Sequence, residues 1–370
     1  MRVCFVTPEV FAFGYYGGLG MVTRTVGREL AKRGIGVYVL TPQKKEQRRI
    51  EQLDGMIVLG FPGDLNLRSL FKILFSGNLF RLPEADIYHI EDPYYSFPYL
   101  ITRATPQSKH IVCFQDPWRE AELRKLASVE AEWKGIKKYY FTHLRPYFSQ
   151  RTILKADALF CPAKYLIPKV KEMHNLHTEV GFLPNPVEVP AHDSKKPTKP
   201  TVCFIARWAP VKRVDRFFEL AKSFPQVEFI AVGMAYDEAR DRELRRMGSD
   251  IPNLKMPGLL VGAEKNEILE KSWVMVNTSF HESLPTTYLE ACAYKCAILS
   301  AENPDDFALN FGFRVQNDDF ESGLAYLLEG NRWWEKGEAG FEYVREVHEL
   351  NKVVDQHIKV YENLMGKGDR

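Results

Sequence analysis

HESLPTTYLEA, residues 281–291, places two glutamates, Glu282 and Glu290, eight positions apart around a Pro-Thr-Thr turn. An apolar, β-like run, Trp273–Thr278 (WVMVNT), comes before it and a helix-like segment, Tyr288–Tyr294, comes after. Glu282 is therefore expected in the loop leaving a strand, and Glu290 on the helix that follows. Pro285 suits the first helical turn, where a missing N–H costs nothing. The amides of Thr286, Thr287 and Tyr288 would then be free at a helix N-terminus, which is a ready anion site. Carboxylates accept hydrogen bonds from the hydroxyls of a sugar ring, and free amides donate to a diphosphate. One short segment offers both. Two solvated glutamates flanking a turn would leave the same pattern, so a second signal is needed.

That signal is Val202–Ala206 (VCFIA), a buried-strand pattern followed by Arg207-Trp-Ala-Pro-Val-Lys212-Arg213 and a helical pattern from Val214 to Ser223. Arg207, Lys212, Arg213 and Arg216 crowd a helix start, where the macrodipole already makes the potential positive. Cations belong at the other end of a helix unless an anion is bound. Asp215 and Glu219 could neutralise one or two of the four charges locally, but not all. A strand, an Arg-x4-Lys loop and a helix make a plausible pyrophosphate clamp.

Arg207/Lys212 and Glu282/Glu290, with the glycine-rich Tyr16–Gly20 (YGGLG) and the turn Phe182–Glu188 (FLPNPVE), occur in one order along the chain. In that order and spacing the sequence resembles the retaining GT-B glycosyltransferases of the family-four type, which include glycogen-synthase-like enzymes and many lipid and polysaccharide sugar transferases. The resemblance covers nearly the whole chain. It implies an α/β, GT-B fold: two Rossmann-like, doubly wound domains facing a cleft. It also implies transfer from a UDP-, GDP- or ADP-linked sugar, with retention of configuration and without a metal or other cofactor. On that reading Arg207, Lys212 and the Leu284-Pro285-Thr286-Thr287 turn stabilise the diphosphate. Glu290 holds the ribose and Glu282 grips donor-sugar hydroxyls. Gly17, Gly18, Leu19 and Gly20 approach the phosphates from the other domain. The chain departs from the family at Arg213, where a small residue, often glycine, is usual. Ser283-Leu284-Pro285 stands for the common Gly-Phe-Gly, and His89-Ile-Glu91 for an acceptor-side His-x-His. The missing second histidine leaves a catalytic histidine unassigned.

Composition agrees with a soluble enzyme. The chain has 370 residues, 45% hydrophobic and 26% charged, which is ordinary for globular domains and suggests two or three of them. A net charge of +2 is too balanced to imply nucleic acid. Met1–Val10 lacks the apolar core of a secretory signal, and no apolar run reaches the length of a membrane span. The six cysteines include no Cys-x-x-Cys pair; Cys4, Cys113 and Cys203 each sit in a Val-Cys-Phe strand. Cys161 ends another apolar run, and Cys292 and Cys296 are four apart with no histidine spacing for zinc. Buried, reduced thiols are expected, and with them a cytoplasmic setting.

Apolar runs alternate with helical patterns, which argues for parallel sheets. Strands are expected at Val3–Thr7, Val37–Thr41, Met56–Leu59, Ile87–Ile90, His110–Phe114, Ala158–Cys161 and near Glu179–Leu183, with a helix at Met21–Lys32. Pro184–Pro200 reads as a linker. The alternation restarts with Val202–Ala206, Glu228–Val232, Leu254–Met256, Val274–Asn277 and Ala297–Ser300. The expected domains are 1–183 on the acceptor side and 201–344 on the donor side, joined by 184–200. The C-terminal segment Glu342–Met365 is helical and charged, and the final helix, taken as 345–370, is expected to pack back on the first domain, as the resemblance implies.

Rival readings fit parts of the same pattern. Gly18-x-Gly20-x-x-Thr23 lacks the last glycine of a dinucleotide fingerprint, and Leu40-Thr41-Pro42 supplies no ribose-binding acid. A glycine turn that only reverses the chain remains open. On the acceptor side, Asp116 ends a strand in a polar turn and suits a sugar hydroxyl. His89 is a catalytic candidate, but a core histidine would fit its apolar surroundings equally. Trp133–Arg151 (WKGIKKYYFTHLRPYFSQR) interleaves Lys134, Lys137, Lys138, Arg145 and Arg151 with aromatics, as does the stretch Leu65–Leu82 with Arg68, Lys72 and Arg81. Such faces suit peripheral contact with the acidic inner face of a membrane; a soluble helix with an aromatic core stripe gives the same pattern. Nothing pairs a protonated acid with a nucleophile as in a glycosidase. A sugar-nucleotide epimerase and a non-catalytic sugar-nucleotide-binding module remain as alternatives.

Overall fold

The computed structural model describes residues 1–11, 13–15, 17–43, 47–62, 82–129, 144–192 and 196–366. The chain divides into two compact units. The first comprises Met1–Glu120, Ala131–Pro186 and Asn351–Arg370, the second Ala121–Glu130 and Val187–Leu350. The boundary at Pro186 falls within the Pro-rich stretch.

In the second unit a six-stranded parallel sheet runs Leu254–Gly258, Glu228–Val232, Thr201–Ile205, Val274–Asn277, Ala297–Ser300, Gly312–Arg314. Three of its strands, Thr201–Ile205, Val274–Asn277 and Ala297–Ser300, are buried at every position, as parallel strands covered on both faces must be. In chain order this is 3-2-1-4-5-6, the doubly wound arrangement. Its switch point lies between Thr201–Ile205 and Val274–Asn277, and ligands bind outside the carboxyl ends of strands at such points. Helix Val214–Ser223 buries Val214, Phe217, Phe218, Leu220 and Ala221, an apolar stripe of helical period that packs into the core. Gly312–Arg314 was not expected from the sequence. It is a three-residue edge strand, too short to show periodicity.

The first unit's eight-stranded sheet runs Gly181–Phe182, Ala158–Cys161, Lys109–Cys113, Ile87–Ile90, Arg2–Val6, Gly36–Gln43, Met56–Pro62, Ile50–Leu53. All its pairings are parallel except Ile50–Leu53 with Met56–Pro62. That antiparallel edge strand (IEQL) was missed because no residue in it is fully buried. Its signal was the turn Asp54-Gly55, whose φ values of 51° and 84° are those of a two-residue hairpin loop. The switch point of this sheet lies between Arg2–Val6 and Ile87–Ile90.

The expected helix Glu342–Met365 is two helices, Arg332–Val347 and Leu350–Gly366. The chain breaks between them because Val187 takes over their backbone groups. Its amide donates to the His348 carbonyl at 2.8 Å and its carbonyl accepts from Leu350 at 3.1 Å. All six cysteines are free and buried, and burial pushes the thiols of Cys4, Cys113, Cys292 and Cys296 up. Among the described residues no helix is long and apolar enough to cross a membrane.

Candidate functional site

The second unit's switch point gathers most of the candidates. After Ile205 the chain is anchored by Trp208, 1% exposed, whose amide donates to the Met234 carbonyl at 2.9 Å. Fixing Trp208 inward turns Arg207 outward, where its guanidinium lies 5.3 Å over the Tyr236 ring. Gly233 is required opposite: at φ 137° an added Cβ would overlap the Ala206 carbonyl oxygen. A 3-10 turn, Pro210–Lys212, then leads to Arg213 in the left-handed conformation, φ 47° and ψ 51°. Glycine adopts that conformation freely, whereas a side chain there costs about 1–2 kcal/mol. This accounts for the small residue usual at that place.

The loop after Asn277 is stitched to this one. Thr278 Oγ1 donates to the carbonyls of Lys212 at 2.7 Å and Arg213 at 2.9 Å, and Arg213 Nε donates to the Thr278 carbonyl at 2.6 Å. Phe280 N reaches the Val211 carbonyl at 3.2 Å. Glu282 is thereby brought to Lys212. Its Oε1 accepts from Lys212 Nζ at 2.6 Å, Ser279 Oγ at 2.6 Å and Asn277 Nδ2 at 3.0 Å. The Glu282 side chain is 9% exposed; a carboxylate buried so far persists because an ammonium and two further donors satisfy it. Asn277 and Ser279 were not anticipated, although a polar Asn-Thr-Ser ending an apolar strand was visible. The cluster of four cations is resolved at longer range than the sequence suggested. Lys212 pairs with Glu282, while Arg213 and Arg216 share Asp318 at 2.8 and 3.3 Å.

The Pro-Thr-Thr turn opens helix Thr286–Ala293, two positions before the expected Tyr288, with Pro285 as its N-cap, φ −61° and ψ 129°, and not inside the first turn. Tyr288 N donates to the Pro285 carbonyl at 3.0 Å, so it is not among the free amides. Thr286 and Thr287 remain as the candidate pair of amides for an anion. Leu284 is buried, and Tyr288 ties the helix to the sheet through its hydroxyl to Ser300 Oγ at 2.6 Å. Glu290 pairs with Lys265 at 2.6 Å, side chains 19% and 14% exposed. Lys265 had no signal in the sequence: it is one lysine on a charged helix, Gly262–Lys271.

In the first unit the glycine motif is not a loop. Gly17 is the N-cap of helix Gly18–Lys32, and Gly20 N donates to Glu9 Oε1 at 3.0 Å. A Cβ on Gly17 would overlap the Glu9 carboxylate, and one on Gly20 would come within 2.8 Å of Phe11 N. The glycines therefore make room for Glu9, which takes a donor expected to face a phosphate. Tyr16 lies outside the described residues.

His89 is 1% exposed. Its Nδ1 shares a 2.8 Å hydrogen bond with the Tyr361 hydroxyl, and its ring stacks on Phe5 and His357. Burial holds it well below the usual histidine range. This is the core histidine of the two readings, and no catalytic role is carried forward for it. Glu91, 2% exposed, accepts from Gln115 Nε2 at 2.8 Å, and Gln115 exchanges hydrogen bonds with Asn185 at 3.1 and 3.3 Å. Burial pushes the Glu91 carboxyl up to about 7. Asp92 is raised to about 7 for the same reason, against the pull of Arg145. Asp116 accepts from Trp118 Nε1 at 2.7 Å. Among the described residues, one ligand atom each of His89, Glu91 and Cys113 lie within 4.8 Å of one another. Gln115 Nε2 already donates to Glu91 and, at 3.6 Å, to Cys113 Sγ, so this trio reads as part of a polar network. Of the basic aromatic stretches, residues 133–143 and 65–81 lie outside the described residues. Arg145, expected on a solvated face, instead donates to the Tyr94 carbonyl at 3.0 Å and covers its ring at 4.6 Å.

Two family models match the chain: "Glycosyltransferase Family 4" over residues 16–189 and "Glycosyl transferases group 1" over residues 188–308. None of the curated proteins matches the sequence. Among solved structures, sucrose-phosphate synthase from Thermosynechococcus elongatus is 14% identical with a TM-score of 0.77, over 99% of each chain. Anabaena HepE, solved with UDP and glucose, is 12% identical with a TM-score of 0.67, over 98% of this chain and 100% of its own. The pneumococcal O-GlcNAc transferase GtfA, solved with UDP and GlcNAc, is 10% identical with a TM-score of 0.69, over 99% of each chain.

Proposed function

This chain belongs to the family-four, group 1 glycosyltransferases and has their GT-B fold, and on that premise we propose that it transfers a hexose-type sugar from a nucleotide-activated donor to an acceptor hydroxyl, with retention of configuration. The observation that carries the reading is the 2.6 Å pair of Lys212 and Glu282 at the switch point of the second sheet. The phosphate and the sugar carbon of a nucleotide sugar are bonded neighbours, so a cation for one and a carboxylate for the other must be adjacent.

In the mechanism, the leaving nucleoside diphosphate develops negative charge as the sugar carbon–oxygen bond breaks. Arg207, Lys212 and the amides of Thr286 and Thr287 stabilise that charge, and such stabilisation is commonly what lowers an enzyme's barrier most. Glu282 exchanges the Lys212 ammonium for donor-sugar hydroxyls. Glu290 holds the ribose, with Lys265 paired to its carboxylate at 2.6 Å. No metal is needed, because the diphosphate is neutralised by side chains and amides. Asp116 is the acceptor-side candidate.

HepE and GtfA were solved with UDP, which puts UDP first, before GDP and ADP, in a thermal-shift screen. At about a hundred times the dissociation constant, binding adds roughly 2.7 kcal/mol to native stability. A chain unmoved by all three diphosphates would not be a nucleotide-sugar enzyme. The burial of His89 and Glu91 favours, as a second reading, a sugar-nucleotide-binding module without transfer; sugar appearing on an acceptor rejects it, and epimerised free donor would mark an epimerase. The acceptor is a polysaccharide, a small molecule or a lipid-linked sugar. The basic aromatic stretch 133–151 favours the last and a place at the cytoplasmic membrane face. Salt-sensitive sedimentation with acidic vesicles tests that choice.

A further inference from the structure

Arg213 stands where a residue without a side chain would be at ease, at φ 47°, directly after Lys212. Something must hold it there, and Asp318 is placed to do so. The loop carrying Asp318 follows the edge strand Gly312–Arg314. Asn317 and Asp318 are themselves left-handed, φ 53° and 62°, a conformation that Asn and Asp tolerate better than most residues. Asp319 then caps the next helix by accepting from Ser322 N at 3.0 Å. The loop is thus pinned on both sides and projects Asp318 onto Arg213 at 2.8 Å, with Arg216 at 3.3 Å. The same Arg213 side chain grips the Thr278 carbonyl at 2.6 Å, in the loop that brings Glu282 to Lys212.

We propose that Asp318 is a positioning residue for the donor site: by clamping Arg213 it holds the backbone turn that presents Lys212, a part that glycine would play without help. The inference rests on the donor-site reading above. It adds that this chain has replaced an intrinsically permissive turn residue with a side-chain clamp built from a loop more than a hundred residues away (Arg213 to Asp318, separation 105). Asp318 acts through Arg213 and touches no ligand. Its effect should therefore disappear when position 213 no longer needs clamping.

The test measures affinity for UDP, GDP and ADP by calorimetry on the full chain, with melting temperatures alongside. Asp318→Asn should weaken the tightest-binding diphosphate about tenfold, while Asp318→Glu, which keeps the charge, should lose less than threefold. In the Arg213→Gly background the same Asp318→Asn change should cost less than twofold. An equal loss in both backgrounds would overturn the clamp, because Asp318 would then act through Arg216 or through the fold. If Asp318→Asn does not fold, the double variant Arg213→Gly/Asp318→Asn should fold and bind, and an unfolded double variant refutes the inference. Lys212→Ala separates the two levels. Binding weakened by Lys212→Ala but indifferent to Asp318→Asn sinks only the clamp; no binding of any diphosphate by the unmodified chain removes the donor reading and the clamp with it.

Discussion

Lys212 and Glu282 share one proximal contact and different tasks, so their substitutions should separate. On the proposed mechanism Lys212→Ala removes a cation that meets developing charge, and turnover is expected to fall about a hundredfold or more. It also leaves Glu282 with two neutral donors, so a modest loss of stability accompanies it. Turnover at the unmodified rate would dismiss Lys212 from the donor site. Glu290→Gln should weaken binding of the free nucleoside diphosphate, because its carboxylate is assigned to ribose. Glu282→Gln should leave that affinity nearly intact and depress transfer. Equal loss of diphosphate affinity in both variants contradicts the division. All three charged residues were legible as candidates. Their partners were not, because Asn277, Ser279 and Lys265 are polar residues of common kinds until the fold sets them within 3.0 Å of a carboxylate.

At the scale of elements, the turn that presents Arg207 depends on a close backbone approach. Gly233 follows the strand Glu228–Val232 at φ 137°, with the Ala206 carbonyl and the Trp208 indole against it. Gly233→Ala is expected to destabilise the protein by about 1–3 kcal/mol, since both the conformation and the space are denied to a side chain. It should also lower diphosphate affinity by shifting Arg207. Unchanged melting temperature and affinity together would show that the turn is not constrained as described. Regular strands with several buried residues were found from the sequence to within three positions at either end. Among the strands of the two large sheets, those that escaped were Ile50–Leu53 and Gly312–Arg314, which lie at sheet edges; the break at His348–Glu349, made by Val187, escaped as well. Short edge strands carry little alternation, and a break made by a distant backbone leaves no local trace.

At the scale of the whole molecule, buried ionisable groups couple stability to pH. The Glu91 carboxyl is raised from 4.5 to about 7 in the folded chain. Between those values the folded state binds the extra proton, so stability falls as pH rises through that window and the loss is complete above about 7. Glu91→Gln stays neutral throughout. Its melting temperature relative to the unmodified protein should therefore climb between pH 4.5 and 8, by the equivalent of up to about 3 kcal/mol. A difference that is flat with pH would mean that Glu91 is not buried as a neutral acid. The half-buried His174 and the buried His357, each lowered to about 4, act oppositely below pH 6.5, which is why the comparison is made against the variant and not on the unmodified protein alone. Metal independence belongs at this scale too. On the proposed mechanism the diphosphate is met by Arg207, Lys212 and two helix amides, and the adjacent acids Asp318 and Asp319 are engaged with Arg213 and the Ser322 amide. Chelator should leave transfer unchanged; activity abolished by chelator and restored by Mg²⁺ or Mn²⁺ would replace the mechanism.

The amino-acid order alone determined that this is a parallel α/β chain in two halves, because strand and helix periods are local properties of consecutive residues. It also determined which cations crowd the start of the helix after Arg213, since the macrodipole makes such crowding anomalous without any knowledge of the fold. Only the tertiary structure decided that the glycine motif houses Glu9 and that His89 is a core residue under Tyr361. It alone showed that Arg213 is held by Asp318. Each of these depends on groups tens to hundreds of residues apart meeting within hydrogen-bonding distance, and short-range contact between distant residues is information that no local pattern contains.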